Sequence, residues 1–263
     1  SSARDTDFAA ATQQALCEWR RARRRMLHKG ATTSAVHAWR ITTRRLFALH
    51  DLLAPSRSGE PDSLREALAK AFHTSGRLRD TQLAIRLLRH ERQHFPAAAM
   101  LAHHLHNHIP RRRRRLMRQV RTIKPQALEK IVLRWHRFDQ GFEKVAQARA
   151  PRRLERARTL LESSHPRTAF SLHRQRLRLK SLRYMIELCR TAGYLVPRMP
   201  WTAGRLSSLQ HTFGRITDLQ VLLALLQKYG KRHKPWRDQL TELHRQLLER
   251  RQHMLAELTE GFG

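Results

Sequence analysis

The sequence predicts an all-α protein, because helical patterns fill it and strand signals are scarce. Aromatic residues make up 6% of its 263 residues, and no Asn-Gly or Asp-Gly hairpin turn occurs. Apolar residues recur at helical spacing over long stretches that Pro and Gly interrupt. With 40% hydrophobic residues, the chain has enough apolar side chains to form a buried core.

The periodicity predicts nine helices. In chain order they lie near residues 5–28, 33–53, 62–94, 97–121, 126–148, 152–163, 166–191, 199–229 and 236–260. Seven prolines stand where helices should start, since proline is favoured in the first helical turn: Pro61, Pro96, Pro125, Pro151, Pro166, Pro197 and Pro235. Pro110 falls inside the fourth helix and should break or kink it. Gly76 and Gly214 lie inside helical patterns, which predicts a close helix approach or a kink there.

The chain also carries an internal duplication. Residues 36–53, VHAWRITTRRLFALHDLL, align with residues 172–189, LHRQRLRLKSLRYMIELC. A second block, HTSGRLRDTQ at 73–82, aligns with HTFGRITDLQ at 211–220. The duplication predicts one domain over 1–263 that consists of two tandem antiparallel four-helix bundles, 1–148 and 149–263, related by pseudo-two-fold symmetry. We expect this symmetry to bring the two histidine-containing helices together around one ligand.

The charge balance indicates a polyanionic partner. Lys and Arg total 53 against 21 Asp and Glu, a net charge of +32, and 44 of the cations are arginine. Two cysteines, Cys17 and Cys189, are too few for a disulfide framework and suggest a reducing compartment. The apolar runs are too short to span a membrane. We therefore expect a cytoplasmic protein without a membrane partner.

Each copy of the first block places a cationic stripe on one helix face. Positions i, i+3 and i+7 lie within about 60° of one another on an α-helix. The first stripe and the arginine that widens it are His37, Arg40, Arg44 and Arg45; the second is His173, Arg176, Lys180 and Arg183. No acid intervenes to relieve the repulsion between these charges. The stripes indicate polyanion binding, and solvated faces of an arginine-rich protein are the alternative.

The second block repeats a histidine, an arginine and an aspartate on one face. The two sets are His73, Arg77 and Asp80, and His211, Arg215 and Asp218. An aspartate among arginines would be ionised and would orient their guanidinium groups. This predicts a supporting role for the two aspartates. The two arginines either contact the ligand or form purely structural pairs with those aspartates.

Two further clusters are weaker signals. The run Arg111 to Arg115 points all round a helix, which predicts a diffuse electrostatic patch rather than a pocket. His104 and His108 have the i, i+4 spacing of a metal-binding pair, but no third ligand accompanies them. From the sequence we therefore expect no metal and no other cofactor.

The segments HAWRITTRRL, HRQRLRLKSLRY, GRLRD and LQHTFGRITD resemble those of the CHAD family, the conserved histidine α-helical domain. The resemblance covers nearly the whole chain and implies a two-bundle domain that binds inorganic polyphosphate in a basic central groove. It implies phosphate contacts from the residues of both stripes, with Arg79 and Asp80 adjacent to them. The sequence departs from the family's pattern at Phe47, Ser181 and Thr217, which puts equal contacts from the two halves in doubt.

This resemblance favours a non-enzymatic polyphosphate-binding module, associated in the cell with phosphate granules. Nonspecific nucleic-acid binding is one alternative, although no helix-turn-helix, RNP or zinc-finger motif occurs. A polyphosphate-acting enzyme is a second. Metal-dependent phosphate chemistry needs clustered carboxylates, whereas the acids here are sparse and no E-x-E pattern or Walker loop occurs.

Overall fold

The computed structural model describes residues 7–54, 63–138, 142–162, 169–194, 196 and 203–260. These residues contain helices and no β-strand, which confirms the all-α class. The helices are α1 (Phe8–Lys29), α2 (Thr33–Leu53), α3 (Ser63–Glu91), α4 (Pro96–Asn107), α5 (Ile109–Thr122), α6 (Pro125–Phe138), α7 (Phe142–Glu162), α8 (Ala169–Thr191), α9 (Ala203–Gly230) and α10 (Arg237–Glu260), with a 3₁₀ turn at Lys234–Trp236.

The helix predicted over 97–121 is in fact two helices. α4 ends at Asn107, His108 caps it, and α5 starts at Ile109 with Pro110 in its first turn. Because proline has no N–H to donate, it fits the first turn of a helix and interrupts one that runs into it. The predicted break at Pro110 is confirmed.

The helices predicted over 126–148 and 152–163 were placed wrongly. α6 ends at Phe138, and α7 runs from Phe142 to Glu162 with Pro151 inside it. An internal proline costs a helix about 3 kcal/mol. Packing on either side of the proline offsets that cost. Ala150 and Leu154 are buried, and Arg153 donates to the Asp51 and Ala54 carbonyls at the end of α2 at 3.0 and 2.6 Å.

The chain divides into two units. Unit 1 comprises Ser1–Ser75, Arg114–Ser164 and Leu177–Thr202, and unit 2 comprises Gly76–Arg113, His165–Arg176 and Ala203–Gly263. Each unit draws on both halves of the sequence. The predicted division at 148/149 and the pseudo-two-fold arrangement of two bundles stay predictions.

The core of unit 1 forms where α1 and α2 pack against each other and against α7. Trp19 and Trp39 are fully buried there, as their helical positions predict. The indole Nε1 of Trp19 donates to Thr43 Oγ1 at 3.1 Å, so its polar atom is satisfied inside the core. Gly30 ends α1 in the left-handed conformation at φ 72°, which a glycine adopts without steric cost.

The core of unit 2 is dominated by the packing of α10 on α9, with α4 also against α10. Leucines 222, 226, 240, 243 and 247 are buried at this contact. Gln239 on α10 accepts a hydrogen bond at 2.9 Å from the Ala97 amide, one of the amides that the first turn of α4 cannot satisfy. A Cβ at Gly214 would meet no atom within 4 Å, so of the two alternatives predicted there the close helix approach is wrong, and the kink stays a prediction.

Candidate polyanion-binding site

The first cationic stripe lies on α2, in unit 1. Thr32 caps the N-terminus of this helix by accepting a hydrogen bond from the Ala35 amide at 3.3 Å. The helix face opposite the stripe carries the apolar side chains and is buried. Burial of that face leaves His37 exposed and Arg40 and Arg44 half-buried. The sequence therefore predicts correctly which helix carries these three residues.

Arg40 is held by α3. Its Nη1 donates to the Phe72 carbonyl at 3.0 Å and to Ser75 Oγ at 2.7 Å, and Ser75 itself donates to the same carbonyl. The Phe72 ring lies 4.6 Å from Cζ of Arg40 and 5.1 Å from Cζ of Arg44. Both distances are within the range of cation–π attraction. One aromatic ring therefore orients two guanidinium groups of the stripe.

The Phe47 side chain on α2 supports the Phe72 ring, and we call these two rings the aromatic platform. Its ring packs edge-on against Phe72 with a centroid separation of 5.2 Å, and Cζ of Arg65 lies 5.1 Å from its centroid. Phe47 is one of the positions at which the sequence departs from the CHAD pattern, where an arginine is common. Here the aromatic residue buttresses the ring beneath Arg40 and Arg44 instead.

Arg45 and Arg183 are engaged with carboxylates of unit 1. Arg45 forms ion pairs with Glu18 at 2.5 Å and with Glu187 at 3.6 Å. Nε of Arg183 lies 3.4 Å from Glu187, and its Cζ is 4.8 Å from the centroid of the Tyr184 ring. Glu187 thus interacts with two of the predicted phosphate-contacting arginines. Their contact with phosphate stays a prediction.

The duplicated helices make reciprocal contacts inside unit 1. The alignment matches Arg45 with Ser181 and Asp51 with Glu187. Arg45 on α2 pairs with Glu187 on α8, while Ser181 on α8 donates to Asp51 on α2 at 3.3 Å. Such an exchange is the pattern that a local two-fold relation between two helices produces. Ser181 thus contributes a hydrogen bond to Asp51 at the position that aligns with Arg45.

Asp51 is ionised in this arrangement. Burial alone would raise the pKa of Asp51, but the neighbouring His50 side chain, the hydrogen bond from Arg65 and the charge of Arg65 hold that pKa below its ordinary value. Arg65 also forms an ion pair with Asp51. The carboxylate therefore serves as an anchor between α2, α3 and α8.

In unit 2, Arg176 on α8 is buried, with only 7% of its surface exposed. Burial lowers the pKa of Arg176, the charges of Asp218 and Asp80 oppose that shift, and Arg79 adds repulsion. The two equivalent aspartates of the second block therefore act on the same guanidinium group. The supporting role of Asp80 and Asp218 around a bound ligand stays a prediction.

The other predicted residues of unit 2 are more accessible. His173, Arg77 and Arg215 are exposed and Arg79 is half-buried, whereas Lys180, which is half-buried, belongs to unit 1. Arg112, from the basic run, donates to the Arg77 carbonyl at 3.1 Å. The predicted set thus divides between the units. Six residues lie in unit 1, namely His37, Arg40, Arg44, Arg45, Lys180 and Arg183, and seven lie in unit 2, namely Arg77, Arg79, Asp80, His173, Arg176, Arg215 and Asp218.

Sequence reasoning missed the contribution of Phe72 and Ser75. The duplication hides them, because the equivalent positions in the second half hold Gln210 and Phe213. It also missed a cavity of about 450 Å³ in unit 1, lined in part by Asp51, Arg153, Arg156 and Arg178. The closely spaced arginines of α7 were the available signal for that cavity.

The described residues include no group of three or more His, Cys, Asp or Glu side chains placed to hold a metal ion. Across the described helices, none has an apolar stretch long enough to cross a bilayer.

Comparison with protein families identifies the chain. The model of the CHAD domain matches residues 10–227, and the chain therefore belongs to the CHAD domain family. A comparison with curated proteins gives no match. CHAD domains are associated with polyphosphate binding in general. The match ends before α10. This last helix lies outside the matched region and packs against α9 and α4.

Proposed function

We propose that this protein binds inorganic polyphosphate without cleaving or transferring it, through cationic residues of α2, α3, α8 and α9. Family membership supports the ligand class, and the in-register repetition of His, Arg and a cation supports the residues. The predicted phosphate contacts are His37, Arg40, Arg44, Arg45, Arg77, Arg79, His173, Arg176, Lys180, Arg183 and Arg215. By the same reasoning we expect a cytoplasmic protein associated with polyphosphate granules.

The placement of Arg40 and Arg44 against the same ring is the observation that supports the proposal most strongly. Phe72 lies against both guanidinium groups, and Ser75 and the Phe72 carbonyl fix the first of them. Ordering a long side chain before the ligand arrives reduces the entropy lost on binding, about 0.5–1.5 kcal/mol for each side chain. His37, one turn earlier on the same face, is exposed and able to donate to a phosphate oxygen.

A linear anion suits these residues better than a compact one. Polyphosphate carries about one charge per phosphate, so successive phosphates can be contacted by successive cations along a stripe. Arginine adds bidentate hydrogen bonds to phosphate and stays charged at every physiological pH. Release of counterions from the polyanion would supply much of the affinity, and binding should therefore weaken steeply as salt increases.

The absence of catalysis is part of the proposal, and the distribution of the acidic residues supports it. Hydrolysis or transfer of phosphate by metal assistance needs carboxylates grouped around the ion. The 21 acids of this chain are scattered, and Asp51, Glu187 and Glu18 are engaged with arginines. Release of inorganic phosphate from polyphosphate in the presence of Mg²⁺ or Mn²⁺, above a no-protein control, would overturn this part.

Competition between polyanions tests the ligand. Labelled long-chain polyphosphate is bound to the protein at moderate salt and challenged with unlabelled polyphosphate, duplex DNA or RNA at equal phosphate concentration. We expect unlabelled polyphosphate to displace the label and the nucleic acids to displace much less. Equal displacement by DNA or RNA would favour the nucleic-acid alternative and contradict the proposal.

A further inference from the structure

Five aromatic rings meet in unit 2, and none belongs to a residue of the proposed polyphosphate site. They are those of His104 on α4, His108 at its end, Tyr229 on α9, and His233 and Trp236 at the 3₁₀ turn. The His104 ring packs edge-on against His108, Tyr229 and His233, with centroid distances of 4.9, 5.1 and 5.6 Å. His233 stacks between Tyr229 and Trp236 at 5.8 and 5.3 Å.

The two imidazoles of His104 and His108 point the same atom at each other. Their Nε2 atoms are 3.3 Å apart, so that one Nε2–H donates to the other nitrogen, and a metal ion bound by both atoms would replace that shared proton. Two nitrogen ligands at about 2.0–2.1 Å from a tetrahedral zinc ion are separated by about 3.3–3.4 Å. The pair therefore already has the spacing that a bound ion imposes.

The surrounding rings hold this pair in place. Contacts with Tyr229 and His233 restrict rotation of the His104 ring, and the His233 backbone is fixed by its hydrogen bond to the Tyr229 carbonyl at 3.0 Å. The site would thus need little rearrangement on binding.

We propose that His104 and His108 bind a divalent transition-metal ion such as Zn²⁺, Ni²⁺ or Cu²⁺ through their Nε2 atoms. The described residues offer no third ligand in place, so water fills the remaining positions. Imidazole nitrogen favours these ions over Mg²⁺ and Ca²⁺, which prefer oxygen ligands. This proposal differs from the sequence-based expectation of no metal site, which stays an untested prediction.

The charge of the protein opposes this binding and gives it a distinctive salt dependence. A net charge of +32 repels any cation, and Lys231, Arg232 and Lys234 lie close in sequence to His233. Added salt screens this repulsion. Metal affinity should therefore rise with salt, whereas polyanion affinity falls.

Calorimetric titration of the full-length protein with NiCl₂ or ZnCl₂, without polyphosphate, tests the site. We expect one binding event that MgCl₂ does not reproduce and that disappears in His104→Gln/His108→Gln. His108→Gln alone, at an exposed position, should weaken it while preserving the fold. The matched control is His103→Gln/His106→Gln, which removes two exposed histidines from the same helix and should bind metal as the wild type does.

Three results would overturn the inference. The first is no nickel or zinc binding by the wild-type protein beyond that of the double variant. The second is an equal loss in the control variant, which would mean that histidines bind metal without regard to geometry. The third is wild-type affinity in His108→Gln with its fold intact by circular dichroism.

Discussion

Arg40 and Arg176 occupy the same position in the two copies of the repeat, yet their surroundings differ. Arg40 is half-buried, donates to Ser75 and a backbone carbonyl, and lies over an aromatic ring. Arg176 is buried and interacts electrostatically with Asp218 and Asp80. The difference shows that the same residue of the repeat lies in two different environments, half-buried over an aromatic ring in the first copy and buried near two aspartates in the second.

The largest expected effect is a loss of stability on replacing Arg176, the buried one of these two arginines. Arg176→Met leaves the carboxylates of Asp80 and Asp218 without this cation. Because both aspartates are only half-buried, the loss should be smaller than the about 3–5 kcal/mol that breaking a fully buried charge pair costs. Urea unfolding should show this loss. Compared with Arg176→Met, Arg40→Met should lower the stability less and the polyphosphate affinity more.

Arg174→Met is the control for that prediction, because it removes an exposed arginine from the same helix. Exposed substitutions change stability by about 0.5 kcal/mol or less. If Arg176→Met unfolded no more readily than this control, the contrast between the two copies would be lost.

A substitution of Phe72 in the aromatic platform should have the next largest effect, on polyphosphate affinity. Phe72→Leu removes the ring from beneath Arg40 and Arg44, so both side chains must be ordered when the ligand binds. We expect polyphosphate affinity to fall about tenfold, measured by fluorescence anisotropy. Phe47→Leu, which removes the neighbouring ring, is the matched control and should lose less. Similar losses in both variants would mean that general packing, rather than contact with the two arginines, sets the affinity.

A smaller effect of opposite sign is expected at Glu187. Glu187→Gln removes the carboxylate that interacts with Arg45 and Arg183, and we expect tighter polyphosphate binding by up to about fivefold. Glu242→Gln makes the same change of charge on α10, outside the family match, and serves as the control. An equal gain in both variants would show that only net charge matters and that Arg45 and Arg183 do not contact the ligand.

The smallest effect concerns pH. Because the pKa of Asp51 is lowered in the folded protein, its carboxylate stabilises the fold above the ordinary aspartate pKa, and this contribution disappears as pH falls through the lowered value. Asp51→Asn should therefore be less stable than wild type near neutral pH, with the gap closing in acid. Urea unfolding at several pH values measures it, with Asp238→Asn as an exposed control. A gap independent of pH would contradict this account.

The sequence predicted much of this fold because helical periodicity and turn residues are local signals. α2 was predicted at its observed bounds, and Pro110 marked the break between α4 and α5. Pro151 misled the prediction, because the cost of proline inside α7 is offset by tertiary contacts of Ala150, Arg153 and Leu154 that no local pattern reveals.

For the site, the repeat identified residues but not their environments. Alignment found Arg40 and Arg176 together, yet it could not tell that one lies over Phe72 and the other is buried among aspartates. The same limit applied to His104 and His108, whose spacing was visible while the separation of their Nε2 atoms was not. Side-chain partners from distant segments decide these properties.

We propose that His37, Arg40 and Arg44 on α2 bind polyphosphate specifically, rather than through the net charge of the protein. We would compare the polyphosphate affinity of His37→Ala/Arg40→Ala/Arg44→Ala with that of a variant in which Arg111 to Arg115 are all alanine, after confirming both folds by circular dichroism. The account predicts a much larger loss in the first variant, although the second loses more charge. An equal loss, or a larger one in the second, would contradict it.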